Sequence, residues 1–73
     1  MLGENLKSVR EKRGLTQEKL AKEINVNRVN IAYYESGTKV PSVAVLTKIA
    51  DTLDCSIDGL LGRKKFVEQN LEN

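Results

Sequence analysis

The 73-residue sequence contains no histidine and no tryptophan, and only one cysteine and one proline. Without histidine, a serine or cysteine nucleophile has no imidazole base, and a typical zinc site lacks its usual ligand. No glycine run of the kind that cradles a phosphate is present. The acids Asp51, Asp54 and Asp58 are spaced like surface residues of a helix rather than like a convergent pair. These absences predict a protein that is not an enzyme and that uses no metal or cofactor.

Long apolar runs are absent as well, and no segment approaches the roughly 20 residues that a helix needs to cross a bilayer. The N-terminus lacks the apolar stretch of a signal peptide, and Cys55 has no second cysteine to pair with. We therefore expect a cytoplasmic, reducing setting and no membrane partner. Cys55 itself is expected to be a small buried core residue. Because only Tyr33, Tyr34 and Phe66 are aromatic, the core of this single small domain must be mainly aliphatic.

The formal net charge of +2 hides an uneven distribution of charge. Residues 5–48 carry nine basic and four acidic side chains, a charge of +5, whereas residues 49–73 carry three basic and five acidic ones, a charge of −2. Helix surfaces are commonly charged, so the asymmetry alone does not identify a partner. A positive half is nevertheless what the binding of phosphate groups requires.

Apolar spacing and helix stop signals predict five helices and no strands. The helices cover roughly residues 3–13, 17–24, 28–35 and 43–53, with a short fifth helix after Ser56. Glycine ends the first, third and fifth helices, and a serine precedes the fourth and the fifth as a capping residue. One face of the first helix carries Leu6, Val9 and Arg10, and one face of the second carries Leu20, Ala21 and Ile24. The positions expected to face inward on the next two helices are Ile31, Tyr34, Ile49, Ala50 and Leu53, with either Val45 or Leu46, and the fifth helix contains Ile57, Leu60 and Leu61.

Residues 16–37 have the pattern of two short helices joined by a tight turn. Thr16 is suited to cap the first of these helices and Asn27 the second. Asn25 falls at the turn, where its tolerance of a left-handed backbone is useful. Ala21 provides the small side chain that two steeply crossing helices need near a turn. A helix-turn-helix of this kind places its second helix in a DNA groove.

On these residues the chain resembles the Cro/CI-type, XRE-like helix-turn-helix domains of phage and plasmid repressors. The resemblance covers roughly residues 5–62 through LKSVREKRGLTQEKLAKEI, VNRVNIAYYESG and PSVAVLTKIADTLDCSIDGLL. It implies an all-α fold, a compact lambda-repressor-like bundle of five helices with the helix-turn-helix at helices two and three. Residues 1–62 would form the DNA-binding domain, and residues 63–73 a polar tail that is a linker, a frayed helix or a pairing segment.

The resemblance also assigns roles to individual positions. Base contacts fall on Arg28, Val29, Ala32 and Tyr33, with Asn30 beside them. Phosphate contacts fall on Thr16, Gln17, Lys39 and Val40, with Asn27 next to the recognition positions. Arg10 and Glu35 match a structural ion pair, and Ile57 matches a position near the contact between two subunits.

The chemistry of the recognition positions leaves alternatives open. Arg28 is suited to guanine O6 and N7, or else to a phosphate. Val29 can meet a thymine methyl group or be a surface valine, and Asn30 can pair with adenine or point sideways. Tyr33 can donate to a phosphate, contact a base edge or pack across the first helix. The resemblance also shows a departure, because Val29, Ala32 and Tyr33 stand where the family often has polar residues, so we expect little base reading by hydrogen bonds. Either apolar contacts and DNA shape then carry the specificity, or a short site is read weakly.

The function that this pattern favours is a sequence-specific transcription regulator of bacterial or phage origin, acting as a repressor. It would bind double-stranded DNA as a homodimer on a palindromic operator, with no evident small-molecule ligand. The chain would be either a compact regulator or the N-terminal half of a longer one. The alternative is a protein-interaction module of the same fold, an antitoxin or adaptor, favoured by the apolar Val29, Ala32 and Tyr33 and by Phe66, Val67 and Leu71 in the tail.

Overall fold

The structure, a computed structural model, describes residues 2–62 of the chain. These residues form five helices: α1 (Leu2–Lys12), α2 (Gln17–Ile24), α3 (Arg28–Ser36), α4 (Val43–Leu53) and α5 (Ile57–Leu61). The predicted all-α fold is confirmed, and no predicted helix end differs from the observed one by more than one residue. The predicted tail, residues 63–73, lies outside the described residues, and so do Phe66, Val67 and Leu71. No helix within residues 2–62 is long and apolar enough to cross a membrane.

Three of the predicted capping side chains stabilise the starts of their helices. Each hydroxyl oxygen accepts a hydrogen bond from the backbone N–H three residues later, which satisfies one of the amides that have no partner inside a helix. The pairs are Thr16 with Lys19 at 3.0 Å, Ser42 with Val45 at 3.2 Å and Ser56 with Gly59 at 2.9 Å. Short polar side chains at these points therefore set where α2, α4 and α5 begin.

The prediction that the Asn27 side chain caps α3 is wrong. Asn27 occupies the capping position with an extended backbone, but its side chain makes no capping hydrogen bond. The N–H of Asn30, which that side chain would have to bind, donates instead to the Asn27 backbone carbonyl at 3.0 Å. The first turn of α3 is thus closed by the backbone, and the exposed Asn27 side chain is left for other contacts.

All five helices contribute to one core, which is aliphatic apart from Tyr34, as predicted. On α4 the inward residue is Leu46 rather than Val45, which is only half-buried. Val9 on α1 is likewise half-buried against the core rather than inside it. The buried apolar residues are Leu6, Leu20, Ala21, Ile24, Ile31, Tyr34, Leu46, Ile49, Ala50, Leu53 and Leu60.

The corner between α4 and α5 is held by contacts that the sequence pattern does not reveal. The Arg13 guanidinium donates from Nε to the Leu53 carbonyl at 2.7 Å and from a terminal nitrogen to the Asp54 carbonyl at 3.2 Å. Asp54 adopts a left-handed conformation with φ of 54°, a role that glycine commonly fills. Cys55 follows it in the connection and packs against the core, as predicted, but it is half-buried rather than buried. Burial raises the pKa of its thiol, which keeps it in the less reactive protonated form.

Gly3 permits a close approach of α1 to the end of α3. A Cβ atom at this position would press on the Glu35 carbonyl oxygen. It would lie 2.9 Å from the Glu35 carbonyl carbon and 3.0 Å from the Tyr34 carbonyl oxygen. These are backbone atoms, so the clash can be relieved only by moving a helix. The sequence alone places Gly3 at the start of a helix and gives no sign of this contact.

We expect Gly3→Ala to lower the free energy of unfolding by about 1–3 kcal/mol, the usual cost of overpacking. Urea denaturation followed by circular dichroism measures the change. Ser8→Ala, at an exposed position of the same helix, is the control and should change stability by no more than about 0.5 kcal/mol. A stabilisation by Gly3→Ala would show that helix propensity outweighs the contact with α3.

Candidate nucleic-acid interface

The turn between α2 and α3 is built around Asn25, as the sequence predicts. Asn25 is left-handed, with φ of 59° and ψ of 49°, and its N–H donates to the carbonyls of Ala21 and Lys22 at the end of α2. The next amide, that of Val26, donates to the Ala21 carbonyl at 2.9 Å. Ala21 is 3% exposed, so its small side chain lies within the packed region between helices. This turn sets α3 firmly across α2.

One side of α3 faces the core and the other faces solvent. Ile31 and Tyr34 are buried, and at 3.6 residues per turn the opposite side carries four of the predicted base-contact residues. Of these, Arg28 is exposed, Val29 is 42% exposed, and Ala32 and Tyr33 are half-buried. Asn30 is half-buried at the edge of this surface. The surface of Arg28, Val29, Ala32 and Tyr33 is called the recognition face below.

A buried ion pair anchors the far end of α3 to α1. Arg10 Nε lies 2.6 Å from Glu35 Oε2, and a terminal Arg10 nitrogen donates to Glu35 Oε1 at 3.1 Å. The second terminal nitrogen of Arg10 donates to the Leu15 carbonyl at 2.7 Å. This is the pair implied by the resemblance, and its side chains are only 8% and 5% exposed. The hydrogen bond to Glu35 raises the pKa of Arg10, although burial opposes that change.

Gln17 continues this hydrogen-bond network outward to the recognition face. Its Nε2 donates to Glu35 Oε1 at 3.1 Å, which leaves its Oε1 turned toward Arg28. A terminal nitrogen of Arg28 donates to that oxygen at 3.3 Å. Arg28 is thus connected through Gln17 and Glu35 to the buried Arg10. No periodicity in the sequence links positions 17 and 28, so the contact could not be deduced from the spacing of residues alone.

The loop after α3 is fastened to the carbonyl of Tyr33. That oxygen accepts hydrogen bonds from the backbone N–H groups of Gly37, Thr38 and Lys39, the last two at 2.9 and 3.3 Å. The Lys39 ammonium nitrogen also lies 5.0 Å from the centroid of the Tyr33 ring. Tyr33 and Lys39 are separate contacts in the sequence prediction, and the fold brings them together.

The predicted phosphate-contact residues lie at the ends of α2 and α3. Thr16 and Asn27 precede these two helices, and Lys39 and Val40 follow α3. All four are exposed, with 81% of Val40 open to solvent, whereas Gln17 is half-buried. The Thr16 oxygen accepts the capping bond described above, so its hydroxyl hydrogen remains free to donate. Ile57, the predicted subunit contact, lies at the first position of α5 and is half-buried against the core.

The fold and this surface define a helix-turn-helix domain of the type found in DNA-binding regulators. Residues 6–60 match the model of the helix-turn-helix family HTH_3. The chain belongs to this family of XRE-like, Cro/CI-type domains.

Two relatives of the chain are named as regulators of transcription. It is 42% identical over 60 residues to the cryptic phage CTXphi transcriptional repressor RstR of Vibrio cholerae, a match that covers 82% of this chain and 54% of RstR. It is 33% identical over 69 residues to the HTH-type transcriptional regulator ImmR of Bacillus subtilis, covering 94% of this chain and 54% of ImmR. The chain thus spans about half the length of these curated relatives.

A solved structure in this family contains DNA. The P22 c2 repressor in complex with a synthetic operator superimposes with a TM-score of 0.79 at 30% sequence identity. The match covers 82% of this chain and 91% of the repressor chain. The likeness therefore extends over nearly all of a domain whose complex with an operator has been determined.

Proposed function

We propose that this chain is a sequence-specific DNA-binding regulator that represses transcription by occupying an operator. The observation that carries the proposal is the recognition face, an exposed surface of α3 whose Arg28 is held by Gln17 and, through Glu35, by the core. A recognition helix of the helix-turn-helix type lies in the major groove with its first residues at the base edges. Arg28 is the first residue of α3 and is therefore the one best placed to reach a guanine.

The proposed division of roles follows the surfaces already described. Arg28, Val29 and Ala32, together with Asn30, would contact bases, and Tyr33 would face the DNA beside them. The exposed residues at the helix ends would contact phosphates. Phosphate contacts supply affinity that does not depend on sequence, whereas base contacts supply discrimination. We assign DNA binding to residues 1–62 and propose that it acts in the cytoplasm, where bacterial and phage genes are transcribed.

We further propose that two copies bind a palindromic operator through adjacent major grooves, with Ile57 near the contact between them. Two recognition helices related by a two-fold axis would meet half-sites about 34 Å apart, one turn of B-form DNA. Ile57 is only half-buried within one subunit, so part of its side chain is free for such a contact.

Selection of bound duplexes from a randomised DNA pool at near-physiological salt tests the proposal. We expect an enriched inverted repeat whose half-sites are centred about 10 base pairs apart. Enrichment of an isolated half-site would contradict the paired mode of binding. Retention that falls with salt but enriches no sequence would reject sequence reading and would favour the protein-interaction module. Lys48→Ala, which removes one exposed positive charge from α4, is the control and should enrich the same repeat.

A further inference from the structure

We propose that Tyr33 acts as a positioning residue, which holds the Lys39 ammonium ready for a DNA phosphate and does not itself read a base. The inference rests on the proposed function, because it assigns Lys39 to a phosphate contact. Its basis is a pair of independent contacts between the two residues, one through the backbone and one through the side chains.

The backbone contact fixes the position of the Lys39 main chain. The Tyr33 carbonyl accepts the N–H of Lys39 at 3.3 Å, and it also accepts the N–H of Thr38 at 2.9 Å. The Ser36 hydroxyl strengthens this turn, since it donates to the Tyr33 carbonyl at 3.2 Å and lies 2.8 Å from the Thr38 hydroxyl. The Lys39 Cα atom is therefore tied to the last turn of the recognition helix, although the residue lies in an exposed loop.

The side-chain contact restricts the position of the Lys39 ammonium group. Its ammonium nitrogen lies 5.0 Å from the centroid of the Tyr33 ring, within the range of a cation–π interaction. A free lysine side chain loses considerable rotamer freedom when it binds a phosphate. A lysine already held over a ring has lost part of that freedom before DNA arrives, so less of it is lost on binding.

The contact with the ring leaves the lysine able to bind. An ammonium group has three N–H donors and no acceptor, and a ring below it uses only one side of the group. The remaining donors can meet a phosphate oxygen while the ring stays in place. The same geometry argues against base reading by Tyr33, because its ring is half-buried and has a cation over it.

Affinity measurements with the selected duplex and with mismatched duplexes test the proposal over a range of salt concentrations. Tyr33→Leu should weaken binding about two- to five-fold on every duplex, the loss expected from an exposed cation–π contact. Tyr33→Phe, which keeps the ring and removes the hydroxyl group, should bind every duplex as tightly as the unaltered protein. Lys39→Ala should reduce the slope of log affinity against log salt concentration by the amount expected for about one phosphate contact. Lys48→Ala, which makes the same change in charge, is the control.

The decisive measurement combines the two substitutions. If Tyr33 acts through Lys39, Tyr33→Leu should have no further effect on affinity in a chain that already carries Lys39→Ala. An equal loss in both backgrounds would overturn the proposal, since Tyr33 would then act on DNA directly. A change of base preference on Tyr33→Phe would overturn it as well, because it would identify the hydroxyl group as a base contact.

A measurement without DNA separates this inference from the proposed function. In nuclear magnetic resonance spectra of the free protein, the Lys39 side-chain methylene signals next to the ammonium should shift upfield through the ring current. The shift should persist in Tyr33→Phe and vanish in Tyr33→Leu, and its absence from the unaltered protein would overturn the positioning contact. If the shift is present but no duplex binds, the proposed function and the phosphate role of Lys39 fail together, whereas the residue pair itself is retained.

Discussion

Replacing Glu35 by alanine should lower the free energy of unfolding by about 3–5 kcal/mol, because it leaves the buried Arg10 guanidinium without its counter-ion. The Arg10 side chain is 8% exposed and that of Glu35 is 5% exposed, so the guanidinium has little contact with water to offset the loss of the carboxylate. In a domain of this size each kcal/mol corresponds to a fall of roughly 4–8 °C in the melting temperature. Urea unfolding and thermal melting, both followed by circular dichroism, measure the loss.

The matched control removes both charges together. Arg10→Met combined with Glu35→Leu fills a similar volume with apolar atoms, and replacements of this kind are often neutral or stabilising. We therefore expect the double variant to be more stable than Glu35→Ala alone. If Glu35→Ala costs less than about 1 kcal/mol, the pair behaves like an exposed surface ion pair, which would contradict its interpretation as a buried one.

The sign of the pH dependence follows from the direction of the pKa shift. Because the folded protein raises the pKa of Arg10, this group contributes stability at pH values below the ordinary arginine value. That contribution is lost only as the pH rises through the folded-state pKa. Arg10 therefore remains charged over the neutral pH range. The stability lost in Glu35→Ala should not vary there through titration of Arg10.

Replacing Arg28 by alanine should remove the preference for one base pair of the selected operator, at a cost of about 1–3 kcal/mol of binding free energy. This corresponds to roughly 5- to 150-fold weaker binding to the matched duplex. Binding to duplexes that already lack that base pair should change far less, since only the contribution to phosphate binding is then lost. Competition titrations with duplexes substituted at one position measure the difference.

Two further variants separate base reading by Arg28 from a phosphate contact. Arg28→Lys keeps the charge but loses the planar pair of donors that matches guanine, so base preference should still be lost. Gln17→Ala keeps Arg28 and removes the acceptor that holds it at 3.3 Å, so discrimination should weaken without disappearing. If Arg28→Ala weakens binding to all duplexes equally, Arg28 contacts a phosphate and the base assignment is wrong.

The helices were predictable because their signals are local. Capping hydroxyls, left-handed positions and apolar spacing lie within a few residues of one another, so Thr16, Asn25 and Ser42 could be interpreted directly from the sequence. Asn27 shows the limit of this reasoning. A residue type suited to capping occupies the capping position, yet the backbone carbonyl binds the amide that the side chain would have bound.

The long-range contacts could not be predicted in the same way, because they depend on how the helices cross. Gly3 matters because α1 packs against the carbonyl end of α3. Arg13 matters because the end of α4 lies beside the α1–α2 turn, where the guanidinium reaches the Leu53 carbonyl. The Arg10–Glu35 pair was the exception, and it was available through family resemblance rather than through physical reasoning. The recognition-face residues were identified in the same way, and their contacts with DNA remain predictions.

The separation of the two sides of α3 has a consequence for how such a domain diversifies. Its orientation is set by Ile31, Tyr34 and Glu35, which contact the rest of the fold. The exposed Arg28 and Val29 contribute little to the core, so substitutions there should be close to neutral for stability. A duplicated copy could therefore acquire a new operator through a few substitutions on the recognition face and remain folded at each intermediate step.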